Sequence, residues 1–239
     1  MQIIKTIQDV LKVSSPRPCS NESQVAKKNY AERFSRNMAT CIANSLRRHF
    51  PGVTPEADGS SQEAPARTAK GFKKLDVGYS TPELGLALGV SVKSIHFPDP
   101  KAGRFTKNYS RNDNELRAEA TDYHQRQPYA VLVGVLFLPI ECCDDAGDSE
   151  GISSFGAAVR FFRPRAGRED HRDEPDKFER FFVAIYDANT GDTDFFDVMQ
   201  SPPKRGRPSR NKCLSLSGFV EQVADSYNAR NDPPFKWDE

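Results

Sequence analysis

Two charged residues of the sequence, Asp76 and Lys93, have the types and the spacing to act together on a phosphate group. Asp76 lies in the segment KKLDVGY and Lys93 in LGVSVKS, and both segments have the composition of β-strands. A carboxylate can hold Mg²⁺, or Mn²⁺ in its place, through oxygen. The cation polarises a phosphate and lowers the pKa of a bound water, and a lysine positions that water or stabilises the developing negative charge.

The segment between these residues predicts a hairpin that brings them together. The turn-like STPE, residues 80–83, separates strand-like residues 71–79 from strand-like residues 86–95. A hairpin centred on residues 83 and 84 sets Asp76 opposite Ser91, and opposed side chains in an antiparallel pair lie roughly 5 Å apart at Cβ. Because strand side chains alternate, Ser91 and Lys93 share one face and Val92 points into the packed side.

The elements around this hairpin follow the order helix, strand, strand, helix, strand. Apolar residues at helical spacing from Tyr30 to Leu46 predict the first helix, and a second helix begins near Asn112. The run YAVLVGVLFL, residues 129–138, has the length and β-branched content of a strand buried on both faces. We therefore predict an α/β fold class with a mixed central β-sheet flanked by helices.

The length and composition indicate one domain over residues 1–239. Residues 51–70 are rich in Pro, Gly, Ser, Ala and Glu, which predicts a flexible surface loop. Residues 201–212 form a second, strongly basic loop before a final helix.

The element order, with an Asp on one strand and an x-x-K tripeptide on the next, resembles the PD-(D/E)XK nuclease superfamily. The stretch FTKNYSRNDNELRAEATDYHQRQPYAVLVGVLFL is similar to segments of bacterial restriction-endonuclease-like proteins. This resemblance implies a restriction-endonuclease-like α-β-β-α-β core and a Mg²⁺-dependent type II-like endonuclease that hydrolyses duplex DNA in restriction or phage defence. It also implies catalytic roles for Asp76 and Lys93, a metal contact from the backbone carbonyl of Val92, and a homodimer. A cognate methyltransferase partner is left open.

The sequence departs from the family at Ser91, where an acid is usual. A hydroxyl is a weaker metal ligand than a carboxylate, so another acid must complete the site or activity is impaired. The resemblance implies an acid on the preceding helix, for which Glu32 is the candidate, although Glu32 also fits a solvated helix face. Glu115 and Glu119 on the following helix remain candidates for supporting the metal ligands. An ordinary cross-strand ion pair between Asp76 and Lys93 is the alternative.

Two basic segments are candidates for DNA contact. One precedes the second predicted helix and contributes Lys107, Asn108 and Arg111, whose amides and side chains could hold a phosphate. The other, PKRGRPSR, looks like an AT-hook, whose extended Gly-Arg-Pro core enters the minor groove. There Arg205 and Arg207 would contact the minor groove and Lys204 a phosphate. A solvated loop explains the first segment equally well, and a merely basic loop is the alternative for the second.

The overall composition sets the limits of these hypotheses. A formal net charge of +1 restricts nucleic-acid contact to local patches. Five cysteines without a CxxC pair favour a reducing cytoplasm. The first residues lack the apolar run of a signal peptide, and no segment predicts a membrane helix. The rival hypotheses are a catalytically impaired nuclease-fold protein that binds DNA through the AT-hook-like loop, and a protein-interaction subunit with no nucleic-acid role.

Overall fold

A computed structural model describes residues 3–19, 21–62 and 65–232. Five helices and seven strands are assigned within these ranges. The helices are α1 (Ile7–Ser14), α2 (Gln24–Leu46), α3 (Tyr109–His124), α4 (Ser154–Phe162) and α5 (Leu216–Arg230). The strands are β1 (Pro65–Thr68), β2 (Gly71–Lys74), β3 (Val77–Thr81), β4 (Gly85–Ser94), β5 (Val131–Pro139), β6 (Arg180–Tyr186) and β7 (Thr193–Asp197).

The central sheet has five strands in the order β3-β4-β5-β6-β7. The two outer pairs, β3–β4 and β6–β7, are antiparallel, and the two inner pairs are parallel. All of β5 is buried, which explains its continuous run of apolar residues. The mixed central sheet flanked by helices is therefore confirmed.

Helices cover both faces of this sheet. On one face, Val90, Val92 and Val133 join the apolar residues of α1, α2 and α5. On the other face, Leu132 and Leu136 join the apolar residues of α3 and α4. Because side chains alternate along a strand, neighbouring residues of β4 contact different helical layers. Ser91 and Lys93 consequently lie on the α3 side.

The chain before Asp76 differs from the prediction. The predicted strand over residues 71–79 is split: β2 pairs with β1 in a separate antiparallel two-stranded sheet, and β3 begins only at Val77. The prediction of a flexible loop over residues 51–70 is wrong at its end, which forms β1. A positive φ of 125° at Gly71 permits the turn between β1 and β2. Further back, Thr54 forms a β-bridge with Gly78.

Helix boundaries are set largely by serine caps. The side chains of Ser23, Ser153 and Ser215 accept hydrogen bonds from the first turns of α2, α4 and α5. The helix α3 has no such side-chain cap at Asn108. Among the helices assigned within the described ranges, none has the length and apolar character needed to cross a bilayer.

Candidate active site

Asp76 lies where the chain passes from the small sheet into β3. Its carboxylate Oδ2 accepts a hydrogen bond from the backbone N–H of Val92 at 2.7 Å. The pairs Val77↔Val90 and Gly78↔Gly89 follow the predicted hairpin register, and Asp76 directly precedes the first of these paired residues. The Asp76 carboxylate is thus hydrogen-bonded to β4, the strand that carries Lys93.

The side chain of Lys93 extends from β4 toward α3. Its Nζ is 3.4 Å from Glu115 Oε2 and 4.0 Å from Glu119 Oε2, and its side chain is 22% exposed. The two glutamates occupy the same face of α3 because residues four apart in a helix are neighbours. Arg111, one turn earlier, binds Glu115 through its guanidinium Nε at 2.8 Å. The lysine therefore faces two carboxylates of the helix that crosses over its strand.

Glu119 is the acid that the sequence analysis did not assign to the centre. Its side chain is 13% exposed. Burial, reinforced by the negative charge of Asp76 and opposed by the ammonium of Lys93, raises the pKa of Glu119 to about 7. The neighbouring Ser91 hydroxyl favours the ionised form and so lowers this pKa slightly. Ser91, which stands where an acid is expected on the strand, thus influences an acid supplied by the helix.

The backbone carbonyl of Val92 lies on the Asp76 side of β4. In an antiparallel pair, one residue exchanges both its N–H and its C=O with the same neighbouring strand, so the two groups point to the same edge. The Val92 N–H points to Asp76, and the Val92 carbonyl therefore points to the same edge of β4. The paired residues of β3 end at Val77, opposite Val90, so β3 itself does not extend alongside Val92.

The donor set fits a divalent cation that retains water. Across the described parts of the chain, no three Asp, Glu, His or Cys side chains form a group able to enclose a metal. Mg²⁺ does not require such a group, because it is usually held by one or two carboxylates together with water and phosphate oxygens. Asp76 and Glu119 provide two carboxylates whose mutual repulsion a cation would relieve.

Tyr123 adds a buried polar group on α3, one helical turn after Glu119. Its hydroxyl has no hydrogen-bond partner among the residues that the structure describes. Burial and the charges of Glu119 and Asp76 raise the pKa of Tyr123, so that the hydroxyl remains protonated. A protonated hydroxyl that donates to no other described residue is a donor available to a hydrated ligand.

Glu32 is not brought to this site. It lies on α2, on the opposite face of the sheet from Lys93. Its side chain is 61% exposed, and it pairs with Lys28 at 3.7 Å on its own helix. The expectation that Glu32 supplies the missing acid is therefore wrong in position, because α2 packs against the face to which Val92 points.

No family model, curated protein or solved structure matches this chain. The resemblance noted in the sequence therefore stays a prediction.

The basic residues predicted near the start of α3 lie close to the site but are already engaged. Arg111 binds Glu115, whereas Lys107 binds Asp99 with its Nζ 3.3 Å from the carboxylate. The side chains of Arg111 and Lys107 remain 75% and 66% exposed. Asn108 is the residue before α3. These groups extend the polar surface from the candidate site toward the N-terminus of α3.

The AT-hook-like loop has a different conformation from the one predicted. Gly206 has a φ of 82°, so the Gly-Arg-Pro segment turns instead of running extended. The Arg207 side chain binds Asp194 at 2.8 Å, and Arg205 donates to the backbone carbonyls of Asp144 and Asp145. The loop is thus folded against β7, the outer strand of the central sheet. Lys204 is exposed to solvent.

Lysines of the small sheet form the far border of the candidate site. Lys73 forms an ion pair with Asp122 of α3, and Lys70 binds the same carboxylate at 3.2 Å. The positive charge of Lys73 also reaches Glu119, where it favours the ionised form. These lysines are not among the sequence-predicted site residues, because a loop and one continuous strand were expected where β1 and β2 form a separate hairpin. The run of cations just before Asp76 was the available signal.

Proposed function

We propose that the chain is a metal-dependent endonuclease that hydrolyses phosphodiester bonds of duplex DNA, with a restriction-endonuclease-like core. The observation that carries the proposal is the grouping of Asp76, Lys93 and Glu119 where β4 meets α3. Two acids and a lysine at one partly exposed place are the groups that phosphoryl transfer requires. The element order from α2 through β3, β4 and α3 to β5 supports the same proposal.

Asp76 and Glu119 would hold Mg²⁺, with the carbonyl of Val92 as a further oxygen ligand. When bound, the cation polarises the phosphate and lowers the pKa of a coordinated water. Lys93 stabilises the negative charge that develops on the phosphoryl oxygens. The Ser91 hydroxyl favours the ionised form of Glu119, which is the form that binds a cation. Glu115 fixes the Lys93 ammonium at the same site before substrate binds.

Cleavage of supercoiled plasmid in Mg²⁺ tests this function. We expect the wild type to cut, Asp76→Asn to lose at least about a hundredfold in rate, and Lys93→Ala about 10²–10³-fold. Glu150→Gln is the control for an exposed acid, since its side chain is 69% exposed and pairs with Arg160 away from the site. Absence of metal-dependent cleavage by the wild type on varied, unmodified DNAs contradicts the proposal.

The rival function is DNA binding by an impaired nuclease fold. The folded conformation of residues 201–212 argues against an AT-hook as its DNA-binding element. Unchanged DNA affinity in Arg205→Ala, together with cleavage by the wild type, would remove this rival. Metal-independent DNA binding without cleavage, weakened by Arg205→Ala and Arg207→Ala and by salt, would favour it instead.

A further inference from the structure

The outer face of the β1–β2 hairpin carries cations around an exposed phenylalanine. Phe72 pairs with Arg67 across the two strands, and Lys74 lies two residues further on the same face. Phe72 is 66% exposed, and the Arg67 guanidinium lies 5.4 Å from its ring centroid. The sequence from Ala66 to Leu75 has four Lys or Arg residues and no acid. Of these four, Arg67 and Lys74 lie on the outer face, which therefore combines an aromatic ring with two cations.

The inner face of the hairpin fixes it to the body of the protein. Thr68 is buried, and Lys73 on the neighbouring strand binds Asp122 of α3. The N–H of Ala69 at the turn donates to the backbone carbonyl of Asp122 at 2.9 Å. Because Asp122 receives all these contacts, the hairpin holds its outer face in a defined place.

The hairpin is directly connected to the candidate site. Leu75 alone separates Lys74 from Asp76 in the sequence. On the inner face, Lys73 contributes positive charge at Glu119. A polyanion on the outer face of the hairpin would therefore be bound by the segment that leads directly into Asp76.

An exposed phenylalanine between cations matches the chemistry of a nucleobase flanked by phosphates. Every base has a π-face that stacks on an aromatic ring, whereas lysine and arginine bind the backbone on either side. Bases inside an intact duplex are already stacked on each other, so their faces are not available to a surface ring. An unpaired base is available.

We infer that the outer face of the β1–β2 hairpin binds DNA at an unpaired base, with Phe72 stacked on the base and Arg67 and Lys74 on adjacent phosphates. The preferred substrate is then DNA in which unpaired bases adjoin a duplex. This inference rests on the proposed nuclease function and narrows its substrate class.

Fluorescence anisotropy of the full chain in EDTA measures this binding without cleavage. Two labelled DNAs of equal length are compared, one fully paired and one with an internal unpaired segment. We expect the wild type to prefer the second, and Phe72→Ala to lose roughly tenfold in affinity for it with little change on the paired duplex. Phe72→Trp keeps the stacking surface and should retain the preference. Phe161→Ala, the control at a phenylalanine that is 41% exposed on α4, should retain it too.

Two results would overturn the inference: Phe72→Ala binding both DNAs as tightly as the wild type, or weakening both equally. Mg²⁺-dependent cleavage of the same DNAs by the wild type and Asp76→Asn separates this failure from failure of the proposed function. If cleavage requires Asp76 but Phe72→Ala leaves the DNA preference unchanged, only the hairpin inference is contradicted. A Phe72-dependent preference without cleavage removes the nuclease and leaves the hairpin as a DNA-binding element.

Discussion

Two glutamates of this chain, the largely buried Glu119 and the buried Glu179, have opposite electrostatic surroundings. The carboxylate of Glu179 accepts hydrogen bonds from Arg168 at 2.7 Å and from the backbone N–H of Leu132 at 2.6 Å, and Arg230 lies 3.0 Å away. Burial alone would raise the pKa of Glu179, but the contact with His124 and these partners lower it. For Glu119, burial and the negative charge of Asp76 outweigh the ammonium of Lys93, so its pKa is raised.

The difference separates a structural ion-pair cluster from a candidate functional one. Around Glu179, buried positive charge and donors match the carboxylate and join the end of α5 to the segment before β6. Around Glu119, the ammonium of Lys93 is shared with Glu115, and the negative charge of Asp76 disfavours the ionised form of Glu119. A buried acid whose charge is incompletely matched has the property expected where a cation or a substrate supplies the rest.

Exchanging the two glutamates for glutamine should give opposite phenotypes. We expect Glu119→Gln to reduce Mg²⁺-dependent DNA cleavage by about 10²–10³-fold, because it removes one of the two acids proposed to hold the cation. Steady-state cleavage rates of the purified variants measure this effect. Equal rates for Glu119→Gln and the wild type would contradict the assignment.

Glu179→Gln should act on stability. Removing the carboxylate leaves Arg168 and Arg230 buried without their counter-charge, which costs about 3–5 kcal/mol of the free energy of unfolding. Urea denaturation followed by circular dichroism measures the loss. The cleavage rate per folded molecule should stay at the wild-type level, and a specific loss of catalysis in this variant would remove the distinction between the two glutamates.

Metal affinity should rise with pH through the pKa of Glu119. A proton on this carboxyl competes with the cation, so we expect Mn²⁺ affinity to increase about tenfold from pH 6 to pH 8, around the value of about 7. Calorimetric titration at several pH values checks this. In Glu119→Gln the residual affinity should be flatter over that interval, and an equally steep profile would assign the titration to another group.

Stability should show the reverse dependence on pH. Because folding raises the pKa of Glu119, the unfolded chain loses this proton first, and the folded state loses stability as pH rises from the ordinary value of 4.5 to about 7. We therefore expect Glu119→Gln to be more stable than the wild type at pH 8 by about 1–3 kcal/mol, and nearly equal at pH 4. Denaturant unfolding at both pH values tests this, and a destabilised variant at pH 8 would be the opposite result.

The smallest effect is expected at Glu32. Since it is exposed on α2 and pairs only weakly with Lys28, Glu32→Gln should change stability by less than about 0.5 kcal/mol and leave cleavage unchanged. The same plasmid assay measures it. A large loss of activity in Glu32→Gln would instead assign the metal-ligand role to Glu32, as the family resemblance implies, and would argue against Glu119.

Local patterns in the sequence were sufficient for the β3–β4 register. Strand-like segments on either side of a short turn leave few alternatives, and the pairing beside Asp76 follows the prediction until a bulge at Tyr79 and Ser80. The break between β2 and β3 was not predictable in this way. Lys74 and Val77 have similar strand-like neighbours, and only the pairing with the distant β1 separates them.

The acid at the centre could not be chosen from the sequence, because the choice depends on which helix covers which face of the sheet. The parallel pair β4–β5 requires a crossover, which α3 provides, and this helix carries Glu119 over Lys93. No comparable rule places α2, which precedes an antiparallel pair. Glu32 was therefore assigned by analogy to a face that its helix does not cover.

Anomalous diffraction from crystals grown with Mn²⁺ tests the central claim most directly. We predict one bound ion with an oxygen of Asp76 and an oxygen of Glu119 each about 2.0–2.3 Å away, beside Lys93. An ion that binds elsewhere, or a fully occupied DNA complex in which these two carboxylates bind no metal, would contradict the assignment.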